Sequence, residues 1–174
     1  MGTLKDVVDI HVHADPDQTP RSLDVLEAAK LYRDRGARAI LLMNHSDQTA
    51  GMAYLVQKQI PDLDIFGGIV LNHLIGGMNQ HAVEHFTRIS GGRGRIVYMP
   101  TVGSEHEVRQ GGNPSGPYVS VSKDGKLLPE VLDMIDVVAG LGLVLSTGHS
   151  SPEEIVMLAQ EARDRGVKKV LVTN

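Results

Sequence analysis

The chain has no cysteine and no tryptophan among its 174 residues. Without thiols there is no disulfide scaffold, zinc ribbon, iron–sulfur cluster or cysteine nucleophile. Any transition-metal site must therefore draw on His, Asp, Glu or a modified Lys. Aromatic residues make up only 3%, too few for a surface on which nucleic-acid bases stack. A formal charge of −4 also disfavours a phosphate backbone as the main partner, so no nucleic acid is expected. No apolar run approaches the roughly 20 residues of a membrane span. The opening Met1–Asp9 carries Asp6 and Asp9 and no long apolar core, so it does not read as a signal peptide. The expected setting is cytoplasmic, with a small-molecule substrate and no membrane partner. The rest of the composition, 41% apolar and 22% charged, is that of an ordinary globular chain, read as one domain over residues 1–174.

Apolar runs of strand length recur at Val7–Val12, Ala39–Met43, Ile65–Leu71, Arg95–Met99, Leu143–Ser146 and Lys169–Val172. They are nearly continuous rather than alternating, the pattern of parallel strands covered on both faces. Helical spacing fills the intervals. The clearest case is Ser151–Arg165. Ser151 and Glu154 form a capping-box signature, Pro152 suits the first turn, and Ile155, Leu158, Ala159 and Ala162 make one stripe before Gly166. Ser22–Arg35 (ending at Gly36), Pro129–Gly140, Asn79–Ile89 and a weaker Gln48–Gln59 complete the set. Arg33-Asp34-Arg35-Gly36 before a strand closing on Asn44 is echoed by Arg163-Asp164-Arg165-Gly166 before one closing on Asn174. The segment 101–128 is rich in Gly, Ser and Pro and carries Asp124-Gly125 between two short β runs, a hairpin signature. A loop of that length in a compact domain is usually functional or mobile. Six strands alternating with five helices allow either an open parallel sheet or an incomplete (β/α)8 barrel.

Eight histidines stand beside only two phenylalanines, and their positions point to chemistry. His11 and His13 close the first strand, where a period of two puts both on one side. Two adjacent imidazoles repel when protonated and suit a shared divalent ion, which needs them neutral. His149 follows the fifth strand in Ser146-Thr147-Gly148-His149, His45 follows the second and His73 the third. The carboxyl ends of parallel strands are where α/β proteins build their sites, so His149 is expected to converge on His11 and His13. His81 and His85 read as a solvated helix face, and His106 as part of the long loop. Arg21 offers a planar fork for a carboxylate or phosphate. Asn44 and Asn72 at strand ends are candidate substrate contacts. Asp15 and Asp47 are the candidate acid–base carboxylates, with Asp15-Pro16 also a turn signal. The glycine pairs at Gly67, Gly76 and Gly111 form no dinucleotide fingerprint and no phosphate loop.

Asp-Ile-His-Val-His at Asp9–His13 and Thr147-Gly148-His149 resemble the metal-dependent hydrolases of the amidohydrolase superfamily. The chain looks most like an uncharacterised branch of it, through Asp9–Asp17 with Arg21, Phe66–Asn72, Met99-Pro100-Thr101 and Ser146–His149. The resemblance implies a (β/α)8 TIM-barrel-like fold, incomplete over these six units. It implies one or two divalent ions at the carboxyl mouth, held by His11, His13 and His149. The superfamily's further histidine after strand six and aspartate after strand eight have no counterpart within residues 1–174, so the reading expects a longer chain or a partner chain that closes the barrel. Its bridging lysine or glutamate after strand four is missing from Val97–Thr101, which favours a single ion or a second one held through His45. Zinc is the expected metal, with manganese, nickel and iron as alternatives. The implied reaction is hydrolysis of a C–N, C–O or P–O bond in a small polar or anionic substrate. Rival readings are a decarboxylase or other lyase on the same barrel, a barrel phosphatase, and a truncated barrel that only binds. Association of copies through open strand edges is expected of an incomplete barrel.

Overall fold

The computed structural model describes residues 3–111 and 113–173. Gly112, and Asn174 at the end of the echoed segment, lie outside them. The fold is α/β. Six parallel strands, β1 (Val8–Val12), β2 (Ala39–Leu42), β3 (Asp64–Val70), β4 (Gly94–Tyr98), β7 (Val144–Ser146) and β8 (Val170–Leu171), follow one another in that order in an open sheet. A separate two-stranded hairpin consists of β5 (Ser122–Lys123) and β6 (Lys126–Leu127). Asp124 and Gly125 at its turn both have positive φ, 51° and 73°, as the Asp-Gly signature predicts. The helices are α1 (Val25–Asp34), α2 (Ala50–Gln59), α3 (Gln80–Arg88), α4 (Glu105–Gln110), α5 (Pro129–Gly140) and α6 (Pro152–Asp164), with a 3-10 turn at His73–Ile75. Among the described residues no helix is long and apolar enough to cross a membrane.

The chain resolves into two compact units. The first takes the chain up to Ile69 together with Phe86–Arg95, the second Val70–His85 and the chain from Ile96 onward. In the first, β1, β2 and β3 pair in parallel, with Ala39 opposite Asp64 and Leu42 opposite Gly67. Its core gathers Val12, Ala29, Ile40, Leu42, Ala53, Ile60, Leu63 and Ile65. Thr49 ties β2 to β3: its buried hydroxyl donates to the Leu42 carbonyl and accepts from the Gly68 N–H. Gly67 lets that tie form, because a Cβ there would run into the Thr49–Ala50 backbone. In the second unit β7 pairs with both β4 and β8. Helix α5 packs on β7 and α6, burying Val131, Met134, Ile135, Val138, Leu158 and Ala162.

The helix starts follow local chemistry. Ser151 and Glu154 close a reciprocal capping box on α6. Helix α1 starts at Val25 within the expected Ser22–Arg35, capped by Asp24, and Asp24 with Glu27 forms a second reciprocal box. Gly36 and Gly166 take φ of 83° and 89° just past their helices, the left-handed stop that glycine makes cheaply. Two expectations need correction. β1 is not covered on both faces: Val8 is 49% and Ile10 40% exposed, as an edge strand permits. The segment 101–128 is not one long loop either, since Ser104 caps the short helix α4 within it.

Candidate functional site

The first unit brings three of the four predicted ligands together. β1 does not keep strict alternation to its end. Asp9 pairs with Ile40 and Val12 with Leu42, so one extra residue bulges out at Ile10–His11. The bulge and the strand end leave the His11 and His13 Nε2 atoms 3.1 Å apart, with ring centroids at 5.0 Å. The His45 ring stacks on His13 at 4.8 Å and 29°. It therefore shares the neighbourhood, presenting its face to His13.

Asp9, quoted in the sequence only as part of a motif, braces this end of the strand. One carboxylate oxygen accepts the His11 N–H at 3.0 Å and the other the Tyr32 hydroxyl at 2.5 Å. Burial, that hydrogen bond and the Asp9 charge push the Tyr32 hydroxyl up to about 12. His13 is pushed below the usual histidine range by burial first, then by the charges of Arg21 and His11. Its Nδ1 is buried without a well-formed hydrogen bond, although the Met43 backbone beside the ring favours the protonated form. The imidazole is thus held neutral, the state in which it can bind a metal.

Arg21 and His13 line one pocket of about 430 Å³, walled by Val12, Pro20, Leu23 and Leu31. Arg21 is locked to Asp17, whose Oδ2 accepts from Nε at 2.9 Å and Nη2 at 2.7 Å. The Asp17 side chain is 3% exposed. Burial alone would raise its pKa, but the hydrogen bonds from Arg21 and Thr19 outweigh it and hold the carboxyl below its usual range. The remaining Arg21 donors are the cationic feature of the pocket.

The other predicted site residues have different work. Asn44 is buried. Its amide donates to the Pro16 carbonyl and its oxygen accepts the Ser46 N–H. Asn72 is buried too. Its oxygen accepts Thr101 and Gly103 N–H groups, and its amide donates to the Thr101 hydroxyl. Both asparagines are ties between loops rather than open substrate contacts. The Asp15 carboxylate accepts the Arg21 backbone N–H, and Asp47 accepts that of Gln48. Both serve turns, and the Asp15–Pro16 peptide is cis. His73 is exposed at the start of the 3-10 turn, and His81 lies at 3.8 Å from Glu84 on a solvated helix face.

In the second unit His149 stands past the end of β7, where its N–H donates to the Pro100 carbonyl at 2.9 Å. Gly148 before it has φ of 65°, and a Cβ there would collide with the Met99 and Pro100 carbonyls. Its imidazole, 14% exposed, lies 3.5 Å from Glu107 on α4. Glu107 was not foreseen. The signal for it is the Ser104-x-x-Glu107 spacing, a helix-start signature inside a segment otherwise read as loop. A larger pocket of about 600 Å³, with Glu105, Arg109, Tyr118, Ser120 and Glu154 in its wall, is lined by none of the predicted ligands.

Among the described residues no group of three or more His, Cys, Asp or Glu is gathered so as to hold a metal ion. The donor chemistry of the His11–His13 pair nonetheless suits one. Two Nε2 atoms 3.1 Å apart are spaced as two nitrogens that each reach one ion at about 2.0–2.1 Å can be, and His13 is kept neutral. A model of a protein family of unknown function matches residues 6–174. The chain belongs to this family, DUF6282. No curated protein and no solved structure matches it. Family membership thus brings no activity with it, and a functional reading rests on the side chains.

Proposed function

We propose that the chain is a metal-dependent hydrolase of the amidohydrolase kind, its strand–helix units wound as in a (β/α)8 barrel. The observation that carries this reading is the meeting of the His11 and His13 Nε2 atoms at 3.1 Å beside the His45 ring. His11 and His13 would hold the ion, with His45, whose ring stacks on His13, the further donor beside them. Zinc suits imidazole donors, as do manganese, nickel and iron. When bound, a divalent ion supplies a water whose pKa falls to about 7 and polarises a carbonyl or phosphoryl oxygen.

The chain's own residues do the rest. Asp9 fixes the backbone of His11 and burial keeps His13 neutral. Asp17 holds the Arg21 guanidinium in one orientation over the 430 Å³ pocket. That cation, above walls of Leu, Pro and Val, suits a small substrate with an apolar body and one carboxylate or phosphate. The Asp15 and Asp47 carboxylates each accept a backbone N–H through one oxygen.

The test is to strip the protein with a chelator, reload it with zinc or manganese, and offer N-acyl amino acids, carboxylate-bearing esters and phosphomonoesters. Hydrolysis that depends on reloading, with close to one ion per chain in the wild type and far less in His13→Ala, supports the reading. Equal metal content in wild type and His13→Ala would overturn the site. Release of carbon dioxide without net uptake of water would replace hydrolysis by the lyase alternative.

A further inference from the structure

The chain just before β1 is tied to the far end of α1. The Leu4 N–H donates to the Arg35 carbonyl at 2.8 Å and the Asp6 N–H to the Gly36 carbonyl at 3.1 Å. The Val7 carbonyl accepts the Arg38 N–H at 2.8 Å. At the same helix end the Tyr32 carbonyl accepts the N–H groups of Arg35 and Ala37, at 3.2 and 3.0 Å. The Tyr32 backbone is thus committed to the turn that closes α1.

Its side chain has a separate task. The ring packs against the core of the first unit. The hydroxyl donates to Asp9 Oδ2 at 2.5 Å, across 23 positions of sequence. The other Asp9 oxygen, Oδ1, accepts the His11 N–H at 3.0 Å. Both bonds end on one carboxylate, so α1 reaches the His11 backbone through two consecutive hydrogen bonds. The second of them falls within the bulge, where the register against β2 slips between Asp9 and Val12. A bulge locally disrupts the ladder that holds a regular strand, so side-chain bonds carry more of the positioning there. A phenol–carboxylate bond is charge-assisted and stronger than a neutral one, which makes Tyr32 an effective anchor for the Asp9 carboxylate.

We propose that Tyr32 is a positioning residue for His11: through Asp9 it sets the bulged backbone from which the His11 ring meets His13. As a statement about the backbone the inference needs no metal. As a statement about ion affinity it rests on the hydrolase reading.

The experiment compares the wild type with Tyr32→Phe, Asp9→Ala and the double variant, each as the full chain. Tyr32→Phe keeps the ring and removes only the hydroxyl, and circular dichroism checks that the fold is kept. Amide hydrogen exchange is followed residue by residue by NMR on the metal-free protein. The His11 N–H should exchange about tenfold faster in Tyr32→Phe than in the wild type, the scale of one hydrogen bond to a charged group. The amides of Ile40 and Leu42, buried in β2, should keep their rates, which a general loosening of the unit would not allow. Asp9→Ala should speed His11 at least as much. Adding Tyr32→Phe to Asp9→Ala should change nothing further, because the hydroxyl acts only through that carboxylate. Zinc affinity, titrated separately, should fall about tenfold in Tyr32→Phe. Unmoved His11 exchange in Tyr32→Phe, an equal acceleration at Ile40 and Leu42, or a further acceleration in the double variant overturns the proposal. So does a zinc affinity that is equal in Tyr32→Phe and a zinc-binding wild type. A wild type that binds no zinc removes the hydrolase reading, and the exchange rates then decide the proposal by themselves.

Discussion

Gly148 and Gly142 make a controlled pair for measuring what the strand-end geometry costs. Both have φ of 65°, so replacing either by alanine puts a Cβ into the left-handed region at about 1 kcal/mol or somewhat more. The surroundings differ. A Cβ at Gly142 meets nothing within 4 Å, whereas one at Gly148 overlaps the Met99 and Pro100 carbonyl oxygens. Those are backbone atoms of a buried segment and cannot rotate away as a side chain would, so the overlap adds about 2 kcal/mol. Gly142→Ala should thus cost about 1 kcal/mol and Gly148→Ala about 3 kcal/mol. For a chain of this size that is a fall in Tm of about 3 °C and about 9 °C respectively. Thermal unfolding followed by circular dichroism on the two variants reads the difference directly. Equal losses, or a Gly148→Ala variant within about 1 kcal/mol of wild type, would show that the Gly148 backbone does not approach β4 as described. The His149 backbone would then not be held against the Pro100 carbonyl as described.

Further outcomes follow from the same contacts. His13→Ala should lower zinc affinity by about 100-fold or more, read by calorimetric titration of the chelator-stripped protein; an unchanged affinity would move the ion elsewhere. Tyr32 should ionise near pH 12 in the ultraviolet titration of the folded protein, a step absent from Tyr32→Phe. Its folded pKa lies above the unfolded value of about 10, so the stability linked to it is complete below pH 10 and declines as pH rises from 10 toward 12. Tyr32→Phe should lack that decline. Arg21→Lys keeps the charge but not the fork that grips Asp17. It should raise KM for a carboxylate-bearing substrate by about tenfold with little change in kcat, and a fall confined to kcat would place Arg21 at the reacting bond instead.

Much of the fold is written locally, and that part was readable. Helix α5 runs over the predicted Pro129–Gly140, because a proline first turn, an apolar stripe and a closing glycine all lie within the segment. The Asp124-Gly125 hairpin is likewise a matter of four neighbouring residues. What was not readable depends on neighbours far along the chain. The apolar residues of β1 read as core in sequence, yet its Val8 and Ile10 are exposed while all four residues of β2 are buried, because position in the sheet decides whether a strand is an edge. The bulge at Ile10–His11 is invisible for the same reason: it is a mismatch against β2, and nothing in the β1 sequence encodes it alone.

The candidate site divides along the same line. A His-x-His at a strand end announces itself by spacing, and the two rings do meet. The asparagines were misleading because a strand-end Asn serves equally to donate to a ligand or to tie two loops. Asn44 and Asn72 are settled as ties only by residues 28 and 29 positions away. Glu107 shows the limit most clearly. Its helix-start signature is as plain in sequence as those of Glu27 and Glu154, and the cap itself forms as the signature says. Where the carboxylate goes is decided by whether the capping N–H is still available, and at Ser104 the Thr101 carbonyl has claimed it. The docking of Ser104 on a residue 45 positions further along then sets that carboxylate 3.5 Å from His149 Nδ1. Which local signature fails to close is therefore a question that needs both the sequence pattern and the fold.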